Sequence, residues 1–295
     1  MDASQLVNFP PDPNPKTPKL KAPPGSWDTH FHVWGPPHLF PYSEKRRYTP
    51  PAAPVEHYLK MARVIGLERG VIVQPSAHGM DTSVTLNAVK VSGGKLRGMI
   101  RADPKLTAED VKRLHAGGVR GLRIALRRAH GNAFREDLFH QMVKLVTPAR
   151  WPLDLQIDDD AIAPLSELIK SAKVPVVIDT FGHIDFRKGG LEQPAFKALL
   201  ALLDTGNVWV KVHGANRFLA WGVRYEDIVS MARAYIARAP DRILWGTDWP
   251  HSEIYEPGRM PNDGDLIDML LDYAPDEAIR KKILVDNPEK LFDFD

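Results

Sequence analysis

Eight short apolar runs, each followed by a stretch of helical periodicity, recur along the chain and leave few folds open to it. The runs cover residues 27–33, 70–74, 97–101, 121–124, 153–157, 174–179, 208–212 and 243–246. Helical patterns lie between them at 55–65, 83–91, 107–116, 135–145, 161–171, 193–203 and 225–238. Three more follow at 264–273, 275–284 and 288–292. Val- and Ile-rich runs that do not alternate with polar residues are buried on both faces, as in a parallel sheet. Eight strand–helix units in about 250 residues match the size of a (β/α)8 TIM barrel, and that α/β fold is the expectation. A doubly wound open sheet is the alternative. No Gly-x-Gly-x-x-Gly follows the first run, so a dinucleotide site has no support.

The barrel is expected as one domain over 25–295, preceded by an extended arm over 1–24. The arm carries prolines at 10, 11, 13, 15, 18, 23 and 24 and no apolar segment of the signal-peptide kind. It is expected to wrap the barrel. No run reaches the ~18 apolar residues of a membrane helix. With 39 basic and 37 acidic residues the net charge is +2, which gives no electrostatic footprint for nucleic acid. The absence of cysteine removes a disulfide scaffold, thiolate ligands and a cysteine nucleophile. A cytoplasmic location is expected, and a homo-oligomer is left open.

In a barrel the functional groups come from the C-terminal ends of the strands. These ends carry His30 and His32, the Gln74–His78 stretch, Arg101, Arg123, Gln156, Asp158, Asp179, Thr180, Lys211, His213 and Asp248. His30 and His32 are two apart, so on a strand both imidazoles face one way. Such a pair can ligate a metal or hydrogen-bond one substrate oxygen. It can equally be two structural histidines. Asp248 follows an apolar run and sits among tryptophans, where a carboxylate can take a proton from water. Arg123 and Arg217 suit bidentate carboxylate recognition, with structural ion pairs as the alternative. Ser76 and His78, past the second run, can hydrogen-bond substrate or only backbone.

Several segments resemble the amidohydrolase superfamily, in the branch of 2-pyrone-4,6-dicarboxylate lactonase and related sugar-lactone hydrolases and isomerases. They are Trp27-Asp28-Thr29-His30-Phe31-His32-Val33-Trp34-Gly35-Pro36, Phe40–Ser43 with Tyr48, and Val71–Gln74 with Ser76, His78, Gly79 and Asp81. The same order continues through 117–123, 175–179 and Trp245-Gly246-Thr247-Asp248-Trp249-Pro250-His251. The resemblance implies a distorted barrel and a lactonase of aromatic or sugar-acid catabolism. Asp248 would be the general base, and His30 and His32 would polarise the lactone carbonyl. Arg123, Arg217 and Tyr48 would grip substrate carboxylates. Arg128 is preferred over Arg127 as a third basic group, and Gln156 and Thr180 complete the expected substrate set.

One departure stands out. Relatives place a histidine after the sixth strand, where this chain has Thr180; His183 follows three residues later and could reach the pocket past Gly182. The fifth strand also ends without a histidine. No catalytic metal is therefore expected. Zinc on His30, His32 and Asp248 is the alternative, in a hydrolase or decarboxylase, since three protein ligands plus water suffice for catalytic zinc. A lactone isomerase and a non-catalytic barrel that binds a carboxylated ligand are the further alternatives. The expected partner is a small anionic, carboxylated substrate.

Overall fold

In the computed structural model, which describes residues 6–131 and 134–293, all eight expected strands are present. They are β1 (Trp27–Phe31), β2 (Arg69–Val73), β3 (Leu96–Arg101), β4 (Val119–Ala125), β5 (Leu153–Gln156), β6 (Val176–Ile178), β7 (Val208–Lys211) and β8 (Ile243–Leu244). They form one sheet in sequence order, each strand parallel to the next. Helices between the strands complete a (β/α)8 barrel. These are α1 (Val55–Ile65), α2 (Ser83–Val91), α3 (Ala108–Ala116), α4 (Glu136–Val146), α5 (Asp159–Ile162), α6 (Ser166–Ser171), α7 (Pro194–Leu203), α8 (Ala215–Ala220) and α9 (Tyr225–Arg238). The helix expected over 161–171 is split into α5 and α6. Pro164 lies in the gap and cannot donate the amide bond that would continue the helix.

The barrel closes unevenly. β8 is two residues long because the chain beyond it turns toward β1. The Thr29 amide donates to the Trp245 carbonyl at 3.0 Å, and the Asp248 amide to the His30 carbonyl at 2.8 Å. Asp28 ties this seam. Its Oδ1 accepts from the His30 and Thr247 amides, both at 3.0 Å, and its Oδ2 from the Thr247 hydroxyl at 2.6 Å. A Cβ on Gly246 would lie 2.6 Å from the His30 nitrogen, so this approach requires glycine.

Inside the barrel, Trp27, Val71, Val73, Met99, Val177, Trp209 and Leu244 form an apolar layer. Leu291 and Phe292 of the C-terminal helix Asn287–Phe292 plug it from one end. Strand side chains alternate, so residues two further along face the same interior. After Met99, Val177 and Trp209 those residues are Arg101, Asp179 and Lys211, and charge replaces hydrocarbon at the C-terminal end. The described part of the arm contacts the barrel at several points. The Asn8 amide donates to Thr49, the Phe9 amide to Ile254, and the Leu20 amide to the Asp268 carboxylate.

Candidate active site

A cavity of 680 Å³ opens at the C-terminal ends of the strands, a size typical of small-molecule sites. His30, His32, Tyr48, Ser76, Arg123, Gln156, Thr180, Arg217 and Asp248 all line it, as expected. Two expected residues do not. His78 is buried behind the wall, between the Pro41 carbonyl at 3.2 Å and the Gly35 amide at 3.3 Å. Arg128 is two-thirds exposed and bonded to Asp160 outside the cavity, and it is Arg127 that lines the wall. The preference for Arg128 is thus reversed: the chain turns into a short helix at Arg128–His130, which carries that side chain outward.

The cavity floor is a buried lattice of charge. Asp179 Oδ1 accepts from His213 Nε2 at 2.7 Å and lies 3.1 Å from His30 Nδ1. Asp179 Oδ2 accepts from Arg123 Nη2 at 2.7 Å. Lys211, fully buried, donates to Asp154 at 2.6 Å, and its Nζ lies 3.3 Å from His30 Nδ1. Two cations face two carboxylates, as buried charges require. Burial alone would raise the Asp179 pKa, but His30, Arg123 and His213 hold it well below the usual carboxylate range. Burial drives the His30 pKa well below its usual value, aided by His213 and Lys211, so this imidazole is neutral.

Above the floor sits Asp248. Its φ of 63° is unusual for a non-glycine residue, and its backbone amide anchors it to His30. Oδ1 lies 3.5 Å from His32 Nε2 and 3.7 Å from His30 Nε2. Oδ2 accepts from Arg217 Nε at 3.0 Å and Nη2 at 2.7 Å. Burial would raise the pKa of Asp248; Arg217 and the histidines overcome it and hold the group well below the ordinary range. Helix α8, absent from the sequence reading, carries Arg217 to this position.

The ring nitrogens decide what the histidines can do. His32 Nδ1 lies 2.7 Å from the Val73 carbonyl, which only accepts, so this nitrogen carries a hydrogen. His30 Nε2 lies 3.2 Å from Arg123 Nη1 and accepts from it, while Nδ1 points at Asp179.

His30, His32 and Asp248 converge as three potential metal ligands, as do His30, Asp179 and His213. His32 fits a metal well, since its second nitrogen is fixed by a carbonyl as in metal-bound histidines. His30 does not. A guanidinium occupies its cavity-facing nitrogen and the Lys211 ammonium lies 3.3 Å from its Nδ1, so two cations oppose a dication there. In the second set Asp179 is already committed to Arg123.

Thr180 lines the wall, with its hydroxyl 3.4 Å from His213 Nε2. His183 does turn inward past Gly182, at φ 69°, and lines the cavity with Nδ1 unpartnered. Burial pulls its pKa well down, so it too is neutral. Tyr48 is buried in the wall, its hydroxyl bonded to Ser76 and Ser252, and burial raises its pKa, so it stays protonated. Asp154, Arg47, Ser252 and Glu253 were missed. Asp154 was legible in outline, as one carboxylate in the apolar run Leu153-Asp154-Leu155, two residues before Gln156 on the same face.

The chain is 45% identical over 275 residues to a 4-sulfomuconolactone hydrolase of Hydrogenophaga intermedia, covering 93% of this chain and 90% of that one. It is 32% identical to a "2-pyrone-4,6-dicarbaxylate hydrolase" of Comamonas testosteroni, covering 95% and 93%. A crystal structure of a probable 2-pyrone-4,6-dicarboxylic acid hydrolase from Acinetobacter baumannii, with citric acid bound, superposes with a TM-score of 0.81 at 26% identity. That match covers 92% of this chain and all of the other, 100%. The Amidohydrolase family model matches residues 27–294, and the chain belongs to that family, as a lactone-hydrolase member of the amidohydrolase superfamily.

Proposed function

We propose that the protein opens a small anionic lactone by attack of water on the ring carbonyl, with Asp248 as general base and no resident metal. The observation that carries this reading is the pair Asp248 Oδ1 and His32 Nε2, 3.5 Å apart inside the cavity. One water can give a hydrogen to each and turn a lone pair toward the substrate. As the oxygen–carbon bond forms, the water proton passes to Asp248. When the ring C–O bond breaks, the proton returns to the departing ring oxygen, leaving a hydroxyl and a carboxylic acid that releases its own proton to solvent as a carboxylate.

The histidines act differently from the sequence expectation. His32 is a co-acceptor for the water rather than a donor to the carbonyl, because its Nδ1 hydrogen is held by Val73. Positive charge for the developing oxyanion comes from Arg123 and Arg217, with the Tyr48 hydroxyl as a neutral donor. Relatives named for sulfomuconolactone and pyrone-dicarboxylate hydrolysis, and a structural neighbour holding citrate, support an anionic substrate. The higher identity to the sulfomuconolactone hydrolase favours a sulfonated muconolactone-type ring over the pyrone dicarboxylate.

The test is a panel of sulfonated, carboxylated and neutral lactones, followed by acid release and mass spectrometry of products. Ring-opened hydroxy acids from the anionic lactones are expected. A product isomeric with its substrate would make the protein an isomerase. No turnover anywhere in the panel would leave only ligand binding.

A further inference from the structure

Residues 6–9 of the arm run between two loops of the cavity wall, one beyond β1 and one beyond β8. On the first side the Thr49 amide donates to the Leu6 carbonyl at 2.8 Å, and the Asn8 amide to the Thr49 carbonyl at 3.0 Å. On the second the Phe9 amide donates to the Ile254 carbonyl at 2.8 Å. The Asn8 side chain adds two more bonds there. Its Oδ1 accepts from the Ile254 amide at 2.9 Å, and its Nδ2 donates to the His251 carbonyl at 3.2 Å. An amide only donates and a carbonyl only accepts, so these partners fix which way the carboxamide faces. Apolar burial does not explain the placement. Asn8 is 2% exposed, while its apolar neighbours Val7 and Phe9 are 65% and 36% exposed. Hydrogen bonding holds this segment against the barrel.

The two loops carry cavity groups that meet each other. Arg47 donates to Glu253 at 2.6 Å, and the Tyr48 hydroxyl is bonded to Ser252; all four residues line the cavity. The second loop has left-handed backbone at Asp248, His251 and Glu253, with φ of 63°, 65° and 66°. Such backbone persists only where its surroundings hold it. Asp248 has anchors of its own in the His30 carbonyl and Arg217. Further along, the His251 carbonyl and both backbone groups of Ile254 are bonded to Asn8 and Phe9. We infer that Asn8 is a positioning residue for the cavity wall: through it the arm holds the loop of Ser252 and Glu253 against the loop of Arg47 and Tyr48. Its effect on catalysis rests on the proposed lactone site; the hold itself does not. Because Asp248 is anchored separately, loss of Asn8 loosens the enclosure of the substrate and leaves the base in place.

The test compares Asn8→Ala, Asn8→Asp and Lys16→Met with the wild-type chain. Aspartate matches asparagine in size but turns an oxygen, not an N–H, toward the His251 carbonyl, so a space-filling role would survive it. Lys16 is bonded to Asp265 on the surface, and its loss breaks an arm contact outside the cavity. Hydrogen exchange read by mass spectrometry should be faster by about tenfold or more over residues 249–256 and 45–50 in both Asn8 variants, with the barrel strands unchanged. Calorimetric affinity for 4-sulfobenzoate, an aromatic dianion with no lactone to open, should weaken by about tenfold, on the order of one or two hydrogen bonds. KM for the best lactone should rise by the same factor, while kcat stays within about threefold. Lys16→Met should match the wild type in every measure. Unchanged exchange in these loops, unchanged affinity and KM despite faster exchange, a loss confined to kcat, or an Asn8→Asp that behaves as wild type overturns the inference. A wild type that turns over no lactone, with the Asn8 effect on exchange and 4-sulfobenzoate binding intact, removes the hydrolase reading alone. Lactone turnover with no Asn8 effect removes this inference alone.

Discussion

Arg217 places two hydrogen bonds, at 3.0 and 2.7 Å, on a single oxygen of Asp248 and leaves the other oxygen facing His30 and His32. This divides the carboxylate between an anchored atom and a working atom. It also makes the resting base weak, because the guanidinium stabilises the ionised form. A substrate anion that draws Arg217 toward itself would raise the basicity of Asp248 only when substrate is present. The folded-state pKa lies well below 3.8, so the acid limb of wild-type kcat/KM should fall below pH 4. In Arg217→Met that limb should move upward by at least one pH unit, with kcat/KM lower by roughly a hundredfold or more from lost charge. An unchanged acid limb would show that Arg217 does not set the basicity of Asp248.

Asp248→Asn keeps the shape and an acceptor for Arg217 but cannot take a proton. Turnover should fall by about a thousandfold, within the range that a general base contributes. Thermal melting and affinity for 4-sulfobenzoate should change little. A loss of under about tenfold would remove Asp248 as the base.

Zinc content offers a sharper check on the role of Arg123. Protein purified without chelator should carry substoichiometric zinc, and chelator should leave activity intact. Arg123→Met lifts the guanidinium from His30 Nε2 and should raise zinc affinity measurably. Stoichiometric zinc in the active wild type, with activity lost on its removal and restored on its return, would reinstate the triad of His30, His32 and Asp248 as a metal site.

The periodicity that announced eight strands was readable because parallel strands are buried on both faces and write themselves as apolar runs. The same logic gave His30, His32, Arg123 and Asp248, each at a strand end or just beyond. What the chain did not disclose was partnership. Nothing local says that Arg123 is bound to Asp179, or that Arg101 has no carboxylate partner among the described residues, since those facts depend on which strands are neighbours across the barrel. The tautomer of His32 is equally non-local, being fixed by the carbonyl of Val73 on the adjacent strand. Helix α8 was missed because six residues in Ala215–Ala220 are too few to show a 3.6-residue period.

Lys211 and Asp154 form a fully buried ion pair behind His30. Removing one partner strands the other charge in the barrel, so Lys211→Met should destabilise by about 3–5 kcal/mol in denaturant unfolding. Lys211→Met with Asp154→Leu removes both charges and should recover much of that loss. Activity should stay low in the double variant, because His30 loses the cation beside its Nδ1. Additive destabilisation would mean that the two groups do not act as a pair.

Asp28 holds the seam between β1 and the segment after β8, and below about pH 7 it does so largely as a neutral acid. Burial pushes its pKa up to about 7, against bonds from Thr247 and His30 that favour the ionised form. The folded state thus keeps a proton that the unfolded chain, with a value near 3.8, releases. The sign follows from linkage: this contribution is full below pH 3.8 and is lost as pH rises through about 7. Asp28→Asn retains an acceptor for the two amides but cannot ionise. The melting temperature of the wild type relative to Asp28→Asn should therefore fall steadily from pH 4 to pH 8, by an amount worth at most about 4 kcal/mol. Parallel pH–stability curves for the two proteins would mean that Asp28 is ionised throughout, and that the seam is held by a carboxylate rather than by its acid.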